Sequence, residues 1–320
     1  MKKWCLFLSL YFCACLLAAC AGGDIPAGGG TDPGGTPSEE TQTGGGTAEP
    51  GQGADPGGVP AEETPAGGET AEPGQVTETF RLVDAGEGGQ PALLAKADGT
   101  AGDVYTLDLF SVEDVTLEGV SEEEMALLDW APAAGALVEV TWDGSVMESY
   151  PARFGEVTAV RILEDGFNDL CRLYRDVLND LWEADPGLND GITELGVDLS
   201  ETSLPESERS AVAYAFGMDH GLMPIEGTYQ ELVDQGYIDG ENLLWEDGCL
   251  FSIRETQDQD PVAFSLPCVG PGDEIPDYNG VRFDAEKWCG GTGAYSFTNC
   301  TAASVDGHWS VYTVGAEAIS

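Results

Sequence analysis

From Ala21 to Thr79 the chain contains no aromatic residue, and its only large aliphatic side chains are Ile25, Val59 and Val76. A stretch with so little apolar surface cannot offset the entropy lost on ordering, so disorder is expected there. Any core must then be built from residues 79–320. The segment also repeats: Thr31 to Gln52 aligns with Ala54 to Gln75 at an offset of 23, sharing Asp-Pro-Gly-Gly, Glu-Glu-Thr and Thr-Ala-Glu-Pro-Gly-Gln. Without apolar positions the unit has nothing to stack, which makes it a duplicated spacer and no solenoid.

Ahead of the spacer, Lys2 and Lys3 precede an apolar run from Leu6 to Ala19 that closes on Leu17-Ala18-Ala19-Cys20. The run is too short for the roughly 30 Å hydrocarbon core and reads as a signal peptide. Its last four residues resemble the lipobox of bacterial lipoproteins. That resemblance implies a diacylglyceryl group on Cys20, cleavage before it, and a lipid-anchored chain on the extracytoplasmic face of the cell membrane. The expected layout is a signal peptide over 1–19, a disordered linker over 20–78, a small β domain over 79–163 and an α+β domain over 164–320.

All 58 acidic residues lie after Cys20 and two of the 12 basic residues before it, which leaves a net charge of minus 48 beyond the signal peptide. Such a surface repels nucleic acid, whose binding depends on Lys and Arg displacing counterions. Cations, cationic peptides and neutral glycans remain allowed.

Within 79–163, apolar alternation predicts about five short strands: around Phe80 and Leu82, Ala92 to Ala95, Tyr105 to Leu109, Leu137 to Val140, and Val157 to Ile162. A helix from Ser121 to about Trp130, with Ser121 and Glu124 as a capping box, falls between the third and fourth strands. Asp143-Gly144 predicts a type I′ hairpin. Five strands with a helix in that place is the order of an OB-like barrel. Asp143-Gly144 followed by Glu148, Ser149, Tyr150, Pro151 and Ala152 also resembles a family of uncharacterised small OB-like domains in Gram-positive lipoproteins, which brings no catalytic residue with it.

From Phe167 to Trp182, apolar residues recur at three and four residue steps, which predicts an amphipathic helix ended by Asp185-Pro186-Gly187. A second helix is expected from a Ser203 cap to about Gly221, and a third from a Thr228–Glu231 capping box to Gly236. After Asn242 the pattern turns strand-like, with hairpins expected at Asp247-Gly248 and Asp306-Gly307 and a strand over Val262 to Leu266. The fold class is therefore α+β, helices first and antiparallel strands after. Residues Trp245 to Ile253 and Phe283 to Trp288 resemble an uncharacterised C-terminal domain of similar exported proteins, again without an assigned activity.

Candidate chemistry is sparse. Only His220 and His308 are available as imidazole bases. His220 follows Asp219 at a helix C-terminus, where it reads as a cap. Cys289 with His308 is the sharpest enzyme hypothesis, yet it matches no thiol-peptidase signature, so no catalytic residue is assigned. Asp185, Asn189 and Asp190 suggest a calcium loop but fail the EF-hand spacing, and neither metal nor cofactor is expected. Export permits disulfides, and the preferred pairings are Cys249 with Cys300 and Cys268 with Cys289, among three possible connectivities; Cys171, on a helix's apolar stripe, is the expected free thiol. Trp245, Trp288, Tyr295, Trp309 and Tyr312 are candidate ligand-contacting aromatics for an envelope glycan. The combined expectation is a non-catalytic binding or envelope accessory module with a glycan or protein partner. An envelope hydrolase and an inhibitor or immunity-type partner are the alternatives.

Overall fold

Strand β1 (Val76–Asp84) begins where the sequence first alternates apolar and polar residues, and its Phe80 and Leu82 are fully buried. The computed structural model describes residues 74–86, 89–125, 132–256 and 278–320. The signal peptide, Cys20, the repeats, the second half of the Ser121 helix, the Val262–Leu266 strand and Cys268 lie outside them.

After β1 come β2 (Ala92–Lys96), β3 (Val104–Leu107), β4 (Asp114–Leu117), α1 (Glu122–Met125), β5 (Leu137–Trp142), β6 (Val146–Met147), β7 (Ala152–Phe154) and β8 (Val157–Ile162). They form a curled half-barrel sheet in the order β4-β8-β5-β1-β2-β3-β7-β6. Inside the curl, the Phe80 ring meets Tyr105 and Phe154 edge-on at 5.3 Å and Trp142 at 6.2 Å. Ser121 and Glu124 form the expected capping box, the Ser121 amide donating to Glu124 Oε2 at 3.1 Å. The Asp143-Gly144 hairpin does not form. Gly144 has φ of 81° but Asp143 is not left-handed, and β5 pairs with β8 instead of β6.

The second half runs α2 (Leu170–Glu183), β9 (Glu194–Asp198), α3 (Glu206–Asp219), β10 (Pro224–Glu226), α4 (Tyr229–Asp234), β11 (Gly248–Glu255), β12 (Tyr278–Gly290), β13 (Gly293–Val305), β14 (His308–Trp309) and β15 (Ala316–Ile319). The sheet order is β10-β9-β11-β12-β13-β14, with β15 also on β13. Mixed α/β, rich in strand, describes the whole. The helices do not all precede the strands: β9 and β10 interleave with them and run parallel, β9 against both β10 and β11. Short parallel strands of this kind carry no alternation to betray them, since β9 is buried at three successive positions.

Helix α2 buries Leu170, Cys171, Leu173, Tyr174, Val177, Leu178 and Leu181, the apolar stripe expected of it. Helix α3 is different: nine of its fourteen residues are buried, including Ser207, Glu208 and Ser210. A helix buried nearly all round must have neighbours on several sides. Ser207 Oγ donates to the Lys96 carbonyl on β2 at 2.7 Å, and Ser210 Oγ to Glu226 on β10 at 2.7 Å. The helices are thus held between the two sheets, and Val83, Leu93, Ala95 and Val104 of the first share one core with Phe216, Phe251 and Phe283. A largely part-buried network closes this contact. Arg81 donates to the carbonyls of Gly135 and Gly166 and to Glu208 Oε1 at 3.3 Å, and Cys171 Sγ donates to Glu208 Oε2 at 3.4 Å.

Of the two later Asp-Gly pairs, only Asp306-Gly307 makes the expected turn. Their φ values of 49° and 78° are the two left-handed residues of a type I′ hairpin between Val305 and His308. A side chain at Gly307 would meet the Phe167 carbonyl oxygen at 1.8 Å, so glycine is required twice over. Asp247-Gly248 instead leads into β11, where a Cβ on Gly248 would lie 2.3 Å from the Trp245 ring.

The disulfide joins Cys249 to Cys289 and not to Cys300, because Leu250 lies opposite Trp288 in the β11–β12 ladder and brings their neighbours together. Cys300 sits on β13 opposite Phe283, one strand further away, and is free and buried, as is Cys171. Closing a 40-residue separation is worth about 4 kcal/mol on the chain-entropy account.

Candidate functional site

Beside α2 and α3, under the β1–β2 end of the first sheet, opens a cleft of about 1280 Å³. Its floor includes Val83 and Leu93, and Pro132 to Ala134 form part of its wall. Periodicity places the α2 side chains: residues 172, 175, 176, 179, 180 and 183 lie off the buried stripe and face the cleft.

Arg175 is the central cation. Its Nη1 donates to Asp84 at 2.5 Å, and its Nε and Nη2 fork onto the two oxygens of Asp219 at 2.8 and 2.6 Å. One guanidinium therefore ties β1, α2 and the end of α3. Asn179 Nδ2 donates to Asp219 at 3.0 Å, so its Oδ1 is left to face His220 Nε2 at 2.8 Å. That assignment makes Nε2 the protonated nitrogen of the ring. The imidazole also stacks on Trp182, with centroids 3.9 Å apart and planes 12° from parallel. Burial pushes the His220 pKa below its ordinary value, against the opposing pull of Asp219 and Glu183. Burial raises Asp219, but the hydrogen bonds from Arg175 and Asn179 outweigh it and hold the carboxyl below its usual range. Asp176 moves the other way: burial lifts it, its neighbour Asp180 adds to the lift, and Arg172 offsets only part.

His220 and Trp182 also border a second hollow of about 330 Å³, with Asn189 and Ile192. Behind it stands the fully buried Lys287 of β12. Its Nζ donates to the carbonyls of Trp182, Ala184 and Asp185 and to Asn189 Oδ1 at 2.5 Å. The Trp182 and Ala184 carbonyls belong to the end of α2, where the lysine caps them, while the Asp185 carbonyl also accepts from the Leu188 amide at 3.1 Å. Burial lowers its pKa to about 8, with Asp185 and Glu183 pulling back.

The structure does not gather the other candidates. Trp245 and Trp288 belong to a small core with Leu232, Ile238 and Leu250, whereas Trp309 and Tyr295 pack on the large one. Trp245 and Trp309 are 3% and 7% exposed, so neither offers a face to a sugar. Their indole N–H groups are engaged, by Glu194 at 2.6 Å and Asn168 at 2.7 Å. Cys289 is consumed by its disulfide and His308 stacks on Phe167 at 4.1 Å, which removes the thiol dyad. Burial, with Asp284 adding to it, pushes the Cys300 thiol up to about 12, an inert group. His220 does end α3, but its ring serves α2 rather than the α3 carbonyls. Of the residues considered for calcium, Asn189 turns its Oδ1 to Lys287, and Asp185 gives it only the main-chain carbonyl. Among the described residues no group of three or more His, Cys, Asp or Glu is arranged to hold a metal ion, and no helix is long and apolar enough to cross a membrane.

Sequence reasoning missed Arg175, Asn179 and Asp84 as a unit. The available signal was the polar side of α2, which reads as a solvated face until a second sheet is placed beside it.

Compared with known proteins, the chain matches no family model, no curated protein and no solved structure.

Proposed function

We propose that this chain is a lipid-anchored, extracytoplasmic binding module, non-catalytic, in which an OB-like half-barrel and a helix-bearing sheet enclose a ligand seat. The observation that carries the reading is the cleft itself: it is large, and its one imidazole is locked by Asn179 and Trp182. Neither serine nor cysteine lines it among the described residues. Anchoring rests on the Leu17 to Cys20 resemblance.

The test mixes the full chain with purified cell-wall material and assays the pellet for protein and the supernatant for released fragments. Protein in the pellet without release is expected, with Cys20→Ser shifting the chain from the membrane fraction to the medium of expressing cells. Absence from the pellet together with an unmoved Cys20→Ser protein would sink the reading.

A hydrolase is the second reading, and one observation favours it: Asp176 is raised and Asp219 lowered within the same cleft, the divergence that separates an acid from a base. Released fragments that vanish in Asp176→Asn would establish it in place of the first.

A further inference from the structure

The cleft is chemically two-sided. Asp176, Asp180 and Glu183 stand along one border at i, i+4 and i+7 of α2, all exposed, while Tyr214 and Met218 of α3 and Pro91 supply apolar surface. Met218 is 41% exposed, and Tyr214 extends the surface through an edge-on contact at 5.7 Å with Tyr150, itself 40% exposed. Charge inside the cleft is unbalanced. Arg172 is shared by Asp169 and Asp176, and Arg175 by Asp84 and Asp219. Asp180 and Glu183 are left without an ion pair among the described residues, Asp180 accepting only the Tyr312 hydroxyl at 2.7 Å.

We propose that the cleft takes a cationic amphipathic peptide segment, its basic groups on Asp176, Asp180 and Glu183 and its apolar side chains on Tyr214 and Met218. This rests on the binding reading above and names its ligand class. Charge complementarity selects the occupant: a neutral glycan would bury Asp180 and Glu183 with no countercharge, and an anionic polymer would be repelled. A small polyamine would satisfy the acids and leave the apolar side bare. The three acids span about 10 Å of helix axis, a spacing that basic residues four and seven apart on a partner helix reproduce.

The full chain is held by a C-terminal tag on a sensor surface, with the triple variant Asp176→Asn, Asp180→Asn, Glu183→Gln on the reference channel. The probe is a short peptide with Lys and Leu at helical spacing. Its controls carry Glu in place of Lys, or Gly in place of Leu. Expected are binding of the Lys/Leu peptide alone, a loss of about tenfold or more in the triple variant, weakening by salt, and a loss of about threefold in Met218→Ser. Equal binding of either control peptide, or a triple variant within about twofold of the parent, overturns the inference. If no peptide binds but soluble wall glycan shifts the His220 ring resonances, the inference falls and the binding reading stands. A peptide recovered cleaved removes the non-catalytic reading itself.

Discussion

Lys287 is a charged side chain at 0% exposure, held by four oxygens at the end of a helix about a hundred positions away in the chain. Replacing it by Met keeps the stem and removes every donor, leaving the carbonyls of Trp182 and Ala184 and the Asn189 Oδ1 without their lysine donor. The expected cost is about 2 to 4 kcal/mol, read from the urea midpoint. A loss below about 0.5 kcal/mol would mean that water takes over the cap. Nothing local in Glu286-Lys287-Trp288 announces this role, because a lysine between alternating strand residues reads as solvent-facing. The cysteine pairing was hidden for a related reason. Spacing leaves three connectivities open, and only the β11–β12 register selects Cys249 with Cys289. By contrast the φ > 0 demand of a two-residue turn is local, and Asp306-Gly307 was legible in full.

At the scale of elements, the packing of α2 on α3 is polar at the cleft and titratable. The unfolded chain binds protons more readily than the folded one at both His220 and Asp219, whose folded pKa values are depressed. Their contribution is therefore complete above the ordinary values of 6.5 and 3.8 and is lost as pH falls through each depressed value. Asp176, raised from its ordinary 3.8 by burial, acts in the opposite sense. Thermal midpoints should thus decline from about pH 6.5 downward, and His220→Gln should flatten that first step. An unchanged slope in the variant would assign the step elsewhere. The helices themselves were readable from period and caps: α2 from its stripe, α4 from Thr228 and Glu231, which form the expected capping box. The cap of the second helix was not. Pro205 holds the position assigned to Ser203, whose hydroxyl donates to Glu255 instead. Nor did the pattern reveal β9 and β10, which are too short for a period and are held by pairing, β9 on β11 and β10 on β9.

For the molecule as a whole, the two sheets share their helices, so the described residues form one compact unit. Val83, Leu93, Ala95 and Val104 would be stripped of cover if residues 79–163 stood alone, and α3 would lose its β2 partner. One cooperative transition is expected by calorimetry, with the van't Hoff and calorimetric enthalpies equal. Two resolved transitions would show the halves to be independent. The boundary expected at residue 164 rests on the apolar period, which changes there from two to 3.6, and a change of period carries no information on what the new element packs against. The position of β1 has a mechanical consequence. The chain enters the described fold through an interior strand, with Val76 to Arg81 laddered to β5 and Phe80 to Asp84 to β2. A pull on the polypeptide ahead of Val76 must therefore shear both ladders along their length instead of peeling an edge one bond at a time. Traction from that end meets the sheet where it resists most.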